Sequence, residues 1–342
     1  MHPPLAPEHI DAPHRVAALG PLALESGEKI LDYGQSYVTH GALDAARSNA
    51  IVVCASLTGT HHRLDFLIGP GKALDSSRYF IIATDAIGNG LSTSPSNSRA
   101  QPGMRFPCFT VRDMVHAQYR LLTEHLGVTR VHAVVGASMG GMQALQWATS
   151  HPRFMQRIVA MTAMAKTAPW AAAVTSTARA CLMADRAWTG ERFDGVPERG
   201  WRAYAGLMSG LLMRTPEAID AVAASGSQAA HDDLHARQRA QGFDATDYLY
   251  QSSAYDAHDV GTTAGFGGNT HAALASIVAK VLLLAPPLDL FNPVESARRA
   301  GAVIPGARFV EIPSIQGHAA AANAVRDDSE FIDREIAQFL AD

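Results

Sequence analysis

Short apolar runs alternate with amphipathic stretches along most of this chain. Residues 50–54, 78–85, 130–135, 157–162 and 277–285 are rich in apolar and β-branched side chains. They lack the every-second-residue polarity of a half-exposed strand, so each predicts a strand buried on both faces. A further strand is predicted at 307–312. Two earlier ones are predicted around 20–25 and 30–40, with Glu25-Ser26-Gly27-Glu28 as the turn between them. Residues 111–126 carry apolar side chains at helical spacing, begin after the capping residue Thr110 and stop at Gly127. Residues 142–148 and 329–340 have the same helical period. This alternation predicts an α/β fold built on a mostly parallel sheet flanked by helices.

The pattern breaks between about 164 and 275. That interval is alanine-rich, shows helical stretches near 171–185, 197–209 and 215–224, and has no clear strand pair. It reads as an inserted helical cap, 164–275, lying over the strand ends of a core formed by 1–163 and 276–342. Residues 1 to about 15, rich in proline and histidine, predict a loose arm.

Composition narrows the class. The 342 residues suffice for one large domain with an insertion, and a formal charge of −4 implies no broad electrostatic footprint for nucleic acid or an anionic membrane. No apolar stretch is long enough to span a bilayer, and the start lacks the basic-then-apolar pattern of a signal peptide. Cys54, Cys108 and Cys181 are odd in number and widely separated, which suits free thiols in a reducing compartment. The expectation is a cytoplasmic protein without nucleic-acid or membrane partners.

One junction carries chemistry. Gly136-Ala137-Ser138-Met139-Gly140 is a G-x-S-x-G between a predicted strand and a predicted helix, the context of a nucleophile elbow. A serine hydroxyl needs a base to take its proton and a third group to orient that base. In such a fold the partners follow as acid and then histidine, each just after a late strand. Asp289 follows the strand at 277–285, and His318 follows the strand at 307–312. The oxyanion hole is expected from the backbone N–H groups of Met139, after the serine, and Leu57, in the loop after 50–54.

Other polar clusters read more plainly. His61-His62 suits a polar loop network, because no zinc-like ligand spacing accompanies it. Asp244, Asp256, His258 and Asp259 suit caps and turns. Cys54 ends a buried strand and suits packing, and the glycine-rich stretch 261–268 lacks the strand-turn-helix context of a phosphate loop. No cofactor and no metal are expected.

Residues 54–62 (including Leu57-Thr58-Gly59-Thr60-His61-His62), 67–73, 106–115 and 136–147 together closely resemble the homoserine O-acetyltransferase family. The resemblance implies an α/β-hydrolase fold with a helical cap, a Ser138–His318–Asp289 triad, an acyl group carried on Ser138, and a homodimer formed through the cap. Three positions are compared with the acceptor-binding groups of those transferases. An aspartate after the catalytic histidine is Ala319 here, a tyrosine is Phe193, and an arginine is retained as Arg179, whose other reading is a helix cap or a pair with a carboxylate of this chain. Residues 86–92 also depart from the segment usual after the fourth strand. These departures look like an esterase branch. The resulting expectation is a serine hydrolase acting on a small-molecule ester, an acetyl ester, with Arg179, Phe193 and Ala319 in the substrate pocket. The alternative is homoserine O-acetyl transfer from acetyl-CoA, and a non-enzymatic binding protein of the same fold is the third reading.

Overall fold

A computed structural model describes residues 5–224 and 243–342. Among these, eight strands form one sheet: β1 (Arg15–Ala23), β2 (Lys29–His40), β3 (Ala50–Cys54), β4 (Phe80–Thr84), β5 (Val131–Ala137), β6 (Met155–Met161), β7 (Lys280–Ala285) and β8 (Arg308–Glu311). Their order is β1-β2-β4-β3-β5-β6-β7-β8. The pairs β1·β2 and β2·β4 are antiparallel, and every later pair is parallel.

The unbroken apolar runs are explained by what covers the sheet. Within β3, Ala50, Val52 and Cys54 point into one core and Ile51 and Val53 into another, and all are buried. The first core is closed by α1 (Val111–Arg120) and α2 (Met139–Ser150), which contribute Met114, Val115 and the fully buried Trp147. The second is closed by α9 (Arg326–Ala341), through Ile332, Ile336 and Phe339. A two-residue strand period with apolar side chains on both faces leaves no polar alternation to see.

Local signals act as the sequence suggests. Thr110 caps α1 in a reciprocal capping box with Asp113. The predicted helix at 111–126 ends differently, in a wide turn over Leu121–His125, where Leu126 N–H reaches back to Leu121 O at 3.0 Å. Gly127 then turns the chain at φ 63°.

Between β6 and β7 lie α3 (Pro169–Met183), α4 (Glu198–Leu207), α5 (Pro216–Ala224), α6 (Ala245–Asp256) and α7 (Thr270–Ala275). Residues 225–242 of the predicted insertion lie outside the described residues. Helices α4 and α6 share an aromatic cluster in which Trp201 and Tyr204 meet Tyr248 edge-on. The last part of the interval behaves otherwise. Gln146 of α2 donates to Thr263 Oγ1 at 2.9 Å, and α7 packs against α8 (Val294–Val303). Within the expected insertion, 260–275 thus rests in part on helices of the expected core.

Candidate active site

The turn at Ser138 is built by close approaches. Ser138 has φ 55° and ψ −124°, a left-handed conformation that costs a side-chain-bearing residue about 1–3 kcal/mol. A Cβ on Gly136 would lie 2.2 Å from the carbonyl carbon of Gly140, and one on Gly140 would lie 2.3 Å from Cys54 O. Both positions need glycine for β5, α2 and the end of β3 to close together. Ser138 N–H donates to Met161 O at 2.9 Å, fixing the turn to β6.

The structure brings Ser138, His318 and Asp289 together from three strand ends. His318 Nε2 lies 3.0 Å from Ser138 Oγ, and His318 Nδ1 lies 2.8 Å from Asp289 Oδ2. All three side chains are buried. An ionised carboxylate only accepts, so the imidazole proton sits on Nδ1 and leaves Nε2 to accept from the serine. The second Asp289 oxygen accepts from the N–H groups of Phe291 (2.9 Å) and Asn292 (2.7 Å).

A further layer orients this acid, and sequence reasoning missed it. Asn292 donates through Nδ2 to Thr162 O at 2.7 Å and accepts from the Tyr255 hydroxyl. Phe291 stacks on Tyr255 and meets the His318 ring edge-on at 5.1 Å. Burial pushes the Tyr255 phenol well up, so it remains a donor. Asn292, three residues after Asp289, was the one available signal: a turn-forming residue beside the candidate acid.

The loop bearing Leu57 is pinned beside the elbow. Ser56 Oγ donates to Ala137 O at 2.7 Å, Gln143 Nε2 donates to Ala55 O at 2.8 Å, and Thr58 N–H donates to Gln251 Oε1 at 3.2 Å. Thr58 holds φ 60°. Among the described residues, neither the Leu57 nor the Met139 N–H is taken by a protein acceptor.

Ser138, His318 and Leu57 line a cavity of about 530 Å³, together with Tyr204, Met208 and Met213 from the insertion. A pocket of this size suits a small organic ligand.

The three expected pocket residues do not line this cavity. Arg179 is paired instead: its guanidinium reaches Asp256 Oδ2 at 2.7 Å and Ser252 Oγ at 3.2 Å. Phe193 packs on Trp188 at 4.8 Å between ring centroids, within a small turn. Ala319 is buried, with its N–H donated to Met213 O at 2.8 Å.

The histidine pair forms the expected polar network. His61 Nδ1 meets Asp85 Oδ2 at 2.8 Å, and His62 Nδ1 meets Asp65 Oδ2 at 2.7 Å. His14, His61 and Asp85 bring three potential ligand atoms within 4.8 Å of one another. The Asp85 oxygens, however, already accept from Ser36, His61 and Asn89. Burial works to raise the Asp85 pKa, but those hydrogen bonds and the charge of His61 hold it below the usual carboxylate value. Asp244 caps α6, as its sequence context suggests, and Asp259 caps the turn at Gly261.

These features define an α/β-hydrolase-fold protein, and residues 49–201 match the α/β-hydrolase fold family. The chain belongs to the homoserine O-acetyltransferase family. It is 34% identical to the homoserine O-acetyltransferase of Symbiobacterium thermophilum over 94% of this chain and 92% of that one. Some relatives of the same name are longer, and the chain spans 62% of their length. An acetylester hydrolase from Corynebacterium glutamicum is similar in structure, with a TM-score of 0.91, 30% identity and 96% of both chains covered. The acetyl esterase MekB superposes with a TM-score of 0.90 at 29% identity, over 96% of this chain and 97% of that one.

Proposed function

We propose that the protein is a serine esterase that cleaves acetyl esters of small alcohols through an acyl-enzyme on Ser138. The observation that carries this reading is His318 held between Ser138 Oγ (3.0 Å) and Asp289 (2.8 Å). Ser138 Oγ attacks the ester carbonyl as His318 Nε2 takes its proton, while Asp289 stabilises the resulting imidazolium. The Leu57 and Met139 N–H groups receive the oxyanion, a contribution of about 3 kcal/mol each. His318 returns the proton to the departing alcohol. It then takes a proton from water, whose attack on the acyl carbonyl releases acetate and restores Ser138.

Water is favoured as acceptor because none of the three positions compared with the transferases' acceptor-binding groups lines the cavity. Ala319 brings no carboxylate for an ammonium, and Arg179 is occupied by Asp256. Burying an ammonium without a partner costs several kcal/mol. The likeness to an acetylester hydrolase and an acetyl esterase supports the same choice. The second reading is homoserine O-acetyltransferase, favoured by the names of the curated relatives. Acetate release from a chromogenic acetate ester, with and without homoserine, separates the two. A cytoplasmic homodimer formed through the insertion is part of the proposal, and sedimentation of the purified protein tests the dimer.

A further inference from the structure

The segment before β1, expected as a loose arm, is seated on the turn His61–Leu67. Ile10 N–H donates to Asp65 Oδ2 at 2.8 Å, and the His9 ring stacks on His62 with centroids 4.1 Å apart and planes 3° from parallel. Further along, His14 Nε2 meets Ser36 Oγ at 2.6 Å, and its ring stacks on His61. Ile10 and Ala12 pack against the second core. Glu8 and His9 thereby join the lining of the cavity that holds Ser138 and His318.

This seat is held by an imidazole in its neutral form. His9 Nδ1 accepts from Ala6 N–H at 3.1 Å, a role that protonation abolishes, because an imidazolium donates from both nitrogens. A charged ring also lies poorly against His62, which can itself take a charge. Burial, then the charge of His62 and, more weakly, that of His61 lower the His9 pKa; Asp65 and Glu8 pull the other way without reversing the direction. Arg63, in the same turn, brings a further positive charge to the cavity lining. Seating is therefore complete with His9 neutral and weakens as the pH falls through about 6.5, the value of an exposed histidine. Asp65 eases release, because its Oδ1 is buried with no hydrogen-bond partner among the described residues and gains water when the segment lifts. We infer that residues 5–14 form a pH-sensitive strap, and that protonation of His9 releases it from the turn His61–Leu67 and opens that side of the cavity. The strap acts on access to the cavity, whichever acceptor takes the acyl group.

Hydrogen exchange followed by mass spectrometry reads the seat without turnover. The unmodified protein is labelled at about pH 7.5 and about pH 5.5, on either side of the histidine range, with labelling times scaled to the slower chemical exchange in acid. Protection of the peptide containing Ile10 should fall by about threefold or more at the lower pH, while protection of α1 stays constant. His9→Phe keeps a stacking ring that cannot charge, so there the fall should be lost. Equal protection at the two pH values, or a fall that persists in full in His9→Phe, overturns the inference. So does a parallel loss in α1, which reports general unfolding. KM for a chromogenic acetate ester should rise as protection falls, and a constant KM overturns the opening of the cavity. A strap that loosens in a protein that hydrolyses no acetate ester supports the inference and removes the esterase reading.

Discussion

The Arg179 guanidinium and the Asp256 carboxylate face each other at 2.7 Å, joining α3 to α6, and both side chains are largely buried. Thr175 also donates to this carboxylate, and Ser252 accepts from the arginine. The pair holds two insertion helices together and sits outside the lining of the Ser138 cavity.

Arg179→Gln is therefore expected to act on stability. Leaving Asp256 without its cation should cost about 1–3 kcal/mol, read as a lower melting temperature. KM for a neutral acetate ester should change by less than about threefold, since no cavity contact is lost. A large rise in KM with unchanged melting temperature would return Arg179 to the substrate.

Ser138→Ala should fold normally and lose turnover by several orders of magnitude. His318→Ala should lose a comparable amount, because members of such a triad act as a unit. Chromogenic acetate hydrolysis, with circular dichroism as the folding control, checks both. Near-native turnover in Ser138→Ala would contradict the assigned nucleophile.

Asn292→Ala removes the side-chain bonds to Thr162 O and Tyr255 while leaving its backbone N–H to Asp289. Loosening the acid turn should lower kcat roughly tenfold, about 1.4 kcal/mol, with little change in KM. Tyr255→Phe keeps the ring against Phe291 and should lose less. A change confined to KM would speak against a role in positioning the acid.

Asp247 supplies a pH dependence with a definite sign. It is fully buried, holds the Ser96 N–H and hydroxyl, and has its pKa pushed up to about 8 by burial and then by the Asp244 charge. Between about pH 4 and pH 8 the unfolded chain carries this charge and the folded protein does not. Stability from this group therefore falls as pH rises through that window. Asp247→Asn should remove the loss, so its melting temperature should gain on the unmodified protein between pH 5 and pH 8. A constant difference across that range would contradict the protonated form.

Much of this architecture was legible in the sequence, for reasons that also mark where legibility stopped. The central strands stood out because both their faces are covered, as the two cores meeting at Val52 and Val53 show. Ser138 was readable from its glycines, and Asp289 and His318 from their order after late strands. Helix α8 was not, because its buried positions are the small residues Ala297 and Ala300, which give a weak helical period. The roles of Arg179 and Phe193 were not readable either. The carboxylate that captures Arg179 lies 77 positions away, and Phe193 spends its ring on Trp188. Contacts of that kind are decided by how α3, α4 and α6 meet.

Whether an acetyl group on Ser138 passes to water or to homoserine separates hydrolysis from transfer. Purified protein is given a chromogenic acetate ester with excess homoserine, and in parallel acetyl-CoA with homoserine, and products are followed by mass spectrometry. Acetate is expected from the ester at a rate unaffected by homoserine, with no O-acetylhomoserine in either reaction. Efficient formation of O-acetylhomoserine from acetyl-CoA would contradict hydrolysis and establish the transferase reading.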